Sequence, residues 1–247
     1  MQHLAITFGI VTDGSSDNHL LQIIDSISRL HIPVYEILIV GNSNIPDFKN
    51  VMVIPFDENV KKGWITKKKN LITFKAKYDL IVYLHDYYVF DESWYENVKE
   101  FGIDFDVCMH QIRNANNARY HDWVLWVQNR SVLDWFLERT RSCLIPYKSQ
   151  EFAHYLYISG GYWMAKKSFM LSHPLDEELT WGQAEDVEWS LRCRSDWNYK
   201  MNTKSIVKTI KLKDVKFREP TWLHLGIMRS LSRIERFYFK IVKQLKV

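Results

Sequence analysis

Four short stretches of the chain hold residue types able to do chemistry. In Leu84-His85-Asp86-Tyr87-Tyr88 an acid stands directly behind the apolar run Leu80-Ile81-Val82-Tyr83-Leu84. An acid at the carboxyl edge of a buried strand can take a ribose hydroxyl, or a divalent ion that neutralises a diphosphate. A turn-forming aspartate accounts for the same spacing. Ser159-Gly160-Gly161-Tyr162-Trp163 sets a glycine pair inside an aromatic run. Such a pair lets a backbone approach a ligand closely, and a turn or β-bulge needs it equally. Glu185, Asp186 and Glu188 put three carboxylates within four positions at the start of a helical pattern. The helix dipole favours acids there, and a carboxylate so held is also suited to general-base work. His224, in Trp222-Leu223-His224-Leu225, is either a satisfied core histidine or a nitrogen ligand for a metal.

These groups need rigid elements to position them. Leu4 to Val11 and Tyr35 to Val40 are short apolar runs, and Leu20, Leu21, Ile24, Ile27 and Leu30 recur at helical spacing between them. Val51 to Ile54 predicts a third strand, Ile65 to Lys75 a helix, and Asp79 to Leu84 a fourth strand. This alternation implies an α/β protein with a mostly parallel sheet flanked by helices. Ligands of such sheets bind beyond the carboxyl ends of the strands, at Thr12-Asp13-Gly14, Gly41-Asn42-Ser43 and His85-Asp86-Tyr87. No Gly-x-Gly-x-x-Gly and no P-loop follows the first strand, which argues against a dehydrogenase or a P-loop ATPase. The acidic character of residues 12–17 argues against a nucleotidyltransferase, which needs a basic glycine-rich loop there.

With 247 residues, 47% apolar and 25% charged, the chain can bury one large core and is not a disordered protein. Three scattered cysteines indicate neither a disulfide framework nor a thiolate zinc site, and they fit a reducing cytoplasm. No secretory leader is visible, and no run approaches the roughly 18 apolar residues of a membrane span, so the expectation is a soluble fold. The formal charge is +4, but the last 22 residues carry six Lys and Arg against Glu235. The other 225 residues therefore sum to −1, which speaks against a nucleic-acid-binding groove. In that tail Ile227, Leu231, Ile234, Tyr238, Ile241 and Leu245 form an apolar stripe beside cations at 229, 233, 236, 240, 243 and 246. The expected organisation is a body over 1–225 and a basic amphipathic helix over 226–247. That helix either docks on the body or lies on the anionic cytoplasmic face of a membrane.

Taken in order, the motifs resemble those of the family 2-type inverting glycosyltransferases, which have the GT-A (nucleotide-diphospho-sugar transferase) fold. Val11-Thr12-Asp13-Gly14 is similar to the family's first turn, Val40-Gly41-Asn42-Ser43 to the end of its second strand, and Lys69-Asn70 to its Arg-Asn-like step. His85-Asp86-Tyr87 is similar to its Asp-x-Asp motif, Gly160-Gly161 to its glycine pair, and Glu185-Asp186 to its Glu-Asp motif. His224 looks like its late histidine, and the similarity spans about residues 4 to 226.

The resemblance implies a hexosyltransferase-like enzyme of polysaccharide biosynthesis at the cell envelope, moving a sugar from a nucleotide-sugar donor to a glycan or lipid-linked glycan. Asp186 would be the base, with Glu185 beside it. Thr12, Asp13, Asn42, Lys69, Asn70, Asp86, Gly160 and Gly161 would hold the donor, and Asp86 with His224 a divalent cation, Mn or Mg. Aromatic faces stack on sugar rings, so Trp123, Trp126 and Trp181 are candidates for the acceptor wall, with core packing as the alternative. The chain departs from the family at Gly41, where an aspartate usually contacts the nucleotide base. It departs again at His85 and Tyr87, which replace the outer acids of Asp-x-Asp; the third of those positions usually binds the ion, and basic side chains could screen the diphosphate instead. A non-catalytic nucleotide- or carbohydrate-binding protein that kept the fold is the rival reading.

Overall fold

A computed structural model of the chain describes residues 3–126, 143–215 and 217–245, with backbone alone at 154, 235, 236 and 238–245. The expected alternation is present in the first 85 residues. It runs β1 (Ala5–Val11), α1 (Asp17–Ser28), β2 (Val34–Val40), β3 (Val51–Ile54), α2 (Ile65–Lys75) and β4 (Leu80–His85). Leu20, Ile23, Ile24 and Ile27 form the buried face of α1, as their helical spacing requires. There follow β5 (Tyr88–Phe90), α3 (Trp94–Phe101), β6 (Val107–Arg113), β7 (Val124–Leu125), a 3-10 helix (Gln150–Tyr155) and β8 (Leu156–Tyr157). The rest is β9 (Tyr162–Lys166), α4 (Lys167–Ser172), α5 (Glu185–Cys193), β10 (Tyr199–Thr209) and α6 (Trp222–Leu245).

The main sheet has the order β3-β2-β1-β4-β9-β6-β10-β5, and β7 pairs with β8 in a small second sheet. β1 is parallel to β2 and β4, β2 to β3, and β6 to β10, whereas β9 runs antiparallel between β4 and β6. The carboxyl ends of β1 and β4 thus lie side by side, Val11 opposite His85. The reversed β9 brings its start, just after Gly160-Gly161, to the same end, since Tyr162 pairs with Leu84. All six residues of β4 are buried, which explains why this strand reads as an unbroken apolar run.

The final helix begins at Trp222 rather than 226, and its Met228 and Ser232 are fully buried, with Leu225 and Leu231 packed on the core. It is thus seated on the body through its first turns. Trp222, Leu223, Ile234 and Phe237 stay exposed on this helix. The side chains of Arg236, Tyr238, Lys240, Ile241, Lys243 and Leu245, and all of Lys246, lie outside the described residues.

Helix α2 sits directly on β1 because Gly9 has no side chain: a Cβ there would stand 2.3 Å from Ile72 Cγ2. Gly9→Ala should therefore destabilise the fold by about 1–3 kcal/mol through overpacking, measured by urea unfolding. Adding Ile72→Ala should cost less than the two single losses together, because the truncated side chain leaves room for the new methyl. Strictly additive losses would show that this contact does not set the seating of α2.

Candidate active site

Where β1 and β4 end, a cleft of about 770 Å³ opens, lined among others by Thr12, Asp13, Lys68, His85, Asp86 and Tyr87. Thr12 Oγ1 donates to Asp86 Oδ2 at 2.5 Å, tying the two strand ends together. Burial raises the Asp86 carboxyl above its usual range, against the Thr12 hydrogen bond. Asp13 is held below its usual range by Ser15, whose backbone N–H donates to Asp13 Oδ1 at 2.9 Å. The amine of buried Lys68 donates to the Thr12 carbonyl at 2.6 Å and pairs with Glu58, which also lines the cleft. Gly41 has a physical reason to lack the family's aspartate. Its φ is +142°, and a Cβ would stand 2.2 Å from the Thr12 carbonyl oxygen. The loops after β1 and β2 pack too closely for a side chain there. Asn42, next in the chain, is exposed.

The other half of the site is built on the Gly160-Gly161 turn. Gly160 N donates to Asp186 Oδ2 at 2.9 Å, and Val187 N donates to Asp186 Oδ1 at 2.9 Å. Both carboxylate oxygens are thereby oriented by main chain, at the N-terminus of α5 where the dipole favours the anion. Lys69 Nζ donates to Gly160 O at 2.8 Å and lies 3.8 Å from Glu185 Oε1 and 4.6 Å from the Trp163 ring centroid. Burial lowers the Lys69 amine and raises the Glu185 carboxyl, each opposed by the other's charge. A Cβ on Gly160 would meet Asp186 Oδ2 at 2.8 Å, and one on Gly161 the Tyr87 and Tyr88 hydroxyls at 2.8 Å. The turn is therefore wedged between the acid helix and the cleft, and His85 N donates to Gly161 O at 3.0 Å. Ala184, just before α5, has φ +57°, a left-handed conformation that costs a non-glycine residue of order 1–2 kcal/mol. Strain of this kind persists where surrounding structure enforces it.

Thr12, Asp13 and Asp86 thus share one cleft; Gly160, Gly161, Glu185 and Asp186 do not line it, and the turn joins it through the hydrogen bond from His85 N to Gly161 O. Trp181 also lines it and is 70% exposed, so its face is free to stack on a sugar. Other expected residues lie elsewhere. Lys69 is enclosed at 1% exposure and holds the turn, while its neighbour Lys68 takes the place on the cleft wall. Asn70 is committed to the 175–177 segment, donating to Leu175 O and Glu177 Oε1 and accepting from Leu175 N. Trp123 is fully buried and is a core residue, not an acceptor wall. Trp126 is partly buried against Tyr157 in a small cluster beside β7 and β8. His224 sits on α6 and does not line the cleft with Asp86. The sequence reading missed Glu58, Lys62 and Lys68, which line the cleft, and Lys213, whose amine lies 4.0 Å over the Tyr87 ring.

Asp13, Asp86 and His85 line one cleft, but among the described residues no three His, Cys, Asp or Glu side chains converge as an ion site. Tyr87 stands where the resemblance to an Asp-x-Asp motif would put an ion-binding acid. Burial, with Lys69, Lys213 and Lys68 nearby, pushes His85 well below its usual range, so the imidazole is neutral.

The raised Asp86 carboxyl has a consequence for stability. The folded state keeps a proton there to higher pH than the unfolded state, so stability falls as pH rises through the window just above the ordinary carboxylate range. Asp86→Asn keeps an acceptor for Thr12 and removes the buried charge. It should raise the melting temperature at pH 7 and flatten the dependence on pH in that window. A lower melting temperature at pH 7 would show that the ionised form is the stabilising one.

No protein-family model matches the chain, and no curated protein does. Solved structures match its fold. S. aureus TarS (residues 1–349) superimposes with a TM-score of 0.52 at 12% identity, over 94% of this chain and 65% of its own. GalNAc-T7, in a crystal structure with UDP, GalNAc and Mn2+, gives a TM-score of 0.56 at 13% identity, over 88% of this chain and 45% of its own. The chain spans under two thirds of the length of either. A mostly parallel sheet flanked by helices and these two likenesses establish the GT-A fold.

Proposed function

We propose that the protein is an inverting glycosyltransferase that moves a sugar from a nucleoside-diphosphate sugar to a glycan hydroxyl. The observation that carries this reading is the Asp186 carboxylate, fixed by two main-chain N–H groups and joined through the Gly160-Gly161 turn to His85 of the cleft that holds Thr12, Asp13 and Asp86. UDP bound to GalNAc-T7, on the same fold, supports a nucleotide in that cleft.

In one displacement the acceptor oxygen bonds to the anomeric carbon while the bond from that carbon to the diphosphate oxygen breaks. The electron pair leaves with the diphosphate, and Asp186 takes the acceptor's proton, a role worth about two to four orders of magnitude in rate. Glu185 and Lys69 position Asp186 through Gly160. Asp86 would accept from a ribose hydroxyl, and Trp181 would stack on a sugar ring at the open side. No step of this scheme passes through a divalent ion.

The non-catalytic reading draws on the loss of both outer acids from the Asp-x-Asp motif. Donor hydrolysis measured with and without manganese separates it from the enzyme, since a pure binder hydrolyses in neither.

The exposed side of α6 supports attachment to an anionic membrane surface, where a lipid-linked acceptor would be met. Leu223, Ile227, Ser230, Ile234 and Phe237 step along one face, and Arg233 is exposed beside them. An open groove along Leu223, Gly226, Ile227 and Ser230 continues that face. No helix of the described residues is long and apolar enough to cross a membrane. An interfacial helix instead gains from apolar burial and roughly 1 kcal/mol per basic residue near an anionic surface.

Asp186→Asn should abolish transfer while leaving nucleotide binding within severalfold, since the neutral isostere keeps the shape and cannot take the proton. A variant retaining more than about a tenth of wild-type turnover would remove Asp186 from that role. Liposome flotation should require anionic lipid, weaken as salt rises and be lost when 227–247 is deleted. Flotation of neither form would retire the membrane assignment, and the melting temperature of the truncated body controls for unfolding after Met228 is lost.

A further inference from the structure

Lys213 is placed with unusual care for a lysine in an irregular segment. Its N–H donates to Asn114 Oδ1 at 2.9 Å, and Asn114 Nδ2 donates to Lys213 O at 2.6 Å. Asn114 is itself fully buried and takes a third bond from Thr209 Oγ1 at 3.0 Å. This clamp fixes the root of the side chain, and the amine lies 4.0 Å over the ring of Tyr87, a cleft residue. Among the described residues no carboxylate pairs with it. Tyr87 is the third position of the motif, where an ion-binding acid would stand.

A second, independent observation lies next to it. His85 is 8% exposed and lines the cleft, and its Nε2 has no hydrogen-bond partner. A buried polar atom without a partner is costly, and a ligand oxygen brought against it would supply one. The charges acting on this imidazole are those of Lys69, Lys213 and Lys68. Lys68 and Lys69 are already paired with Glu58 and Glu185, which leaves the Lys213 ammonium to repel a divalent cation brought to Nε2 and to attract a phosphate oxygen.

We infer that the cleft holds the diphosphate of its ligand without a divalent ion, with Lys213 standing in for the ion and the His85 Nε2–H donating to a phosphate oxygen. This rests on the donor reading above and adds the means by which the leaving group is neutralised. When the bond to the anomeric carbon breaks, the electron pair leaves with the diphosphate, which departs as an anion beside Lys213. The rival is an ion bridging Asp13 and Asp86, whose carboxylates already accept from Ser15 and Thr12.

Titration calorimetry on the full chain, with UDP and with inorganic pyrophosphate, each in excess EDTA or in MnCl2, tests this. Both probes should bind with affinities that agree within about threefold between EDTA and manganese, and more weakly as salt rises. Lys213→Ala should weaken both by about tenfold or more, and Lys213→Arg should recover most of the loss, because the cation itself is needed. Unliganded melting temperatures of the variants confirm that they fold, and the EDTA comparison on the wild-type chain stands without any variant. Binding that appears or tightens at least about tenfold with manganese would overturn the inference and leave the transferase reading in place. Wild-type affinity in Lys213→Ala would overturn the role of Lys213. Failure of both probes and of a wider nucleotide panel, with or without manganese, would instead overturn the donor reading itself.

Discussion

A single buried amine joins the parts of this site. Lys69 Nζ donates to the Gly160 carbonyl and faces Glu185, so one group from α2 holds both the glycine turn and the start of α5. Gly160 in turn donates its N–H to Asp186. The position of the proposed base is thus set by a chain of contacts that starts in the sheet: β1 seats α2 at Gly9, α2 carries Lys69, and Lys69 anchors the turn. A charged lysine at 1% exposure is costly, and it persists here because the carbonyl, the carboxylate and the Trp163 face all receive it. Removing one partner from such a buried set leaves the others unpaired at low dielectric, which is why the arrangement behaves as a unit.

Much of the framework was legible in the sequence, because it depends on local periodicity. The apolar runs of β1, β2 and β4 and the helical spacing in α1 place those elements nearly residue for residue. The order of motifs at strand ends then located the cleft. What periodicity could not do was choose between adjacent residues of one helix. Lys68 and Lys69 are both buried, and successive residues differ by about 100° around the axis, so one reaches the cleft and the other the turn behind it. Tryptophan identity was equally uninformative: Trp123 fills the core and Trp181, in a loop before Gly182, lies open. Lys213 was invisible for a different reason. It meets Tyr87 from 126 positions away, through a clamp from Asn114, and no local pattern encodes that meeting.

The closing helix shows why an amphipathic stripe is ambiguous when read alone. The face that docks contains Met228 and Ser232, and Arg229 beside them bonds Glu151 and Ser149. Leu225 and Leu231 pack on the core with Met228. Of the stripe read from the sequence, Leu231 thus turns toward the body while Ile234 is exposed, with Leu223 and Phe237 also exposed. Docking and an outward apolar face therefore coexist on one helix.

Charge in the site is paired on both sides of the Gly160-Gly161 turn. Lys69 faces Glu185 and holds the Gly160 carbonyl, and Gly160 donates to Asp186. On the cleft wall Lys68 pairs with Glu58, and Asp13 and Asp86 stand nearby. Preorganised charges of this kind need little reorganisation in a transition state. The body's formal charge of −1 conceals the arrangement, since it averages the acids and the amines together. A methyl at either glycine would come within 2.8 Å of the proposed base or of the Tyr87 and Tyr88 hydroxyls, so those side chains would have to move from the positions the turn now gives them.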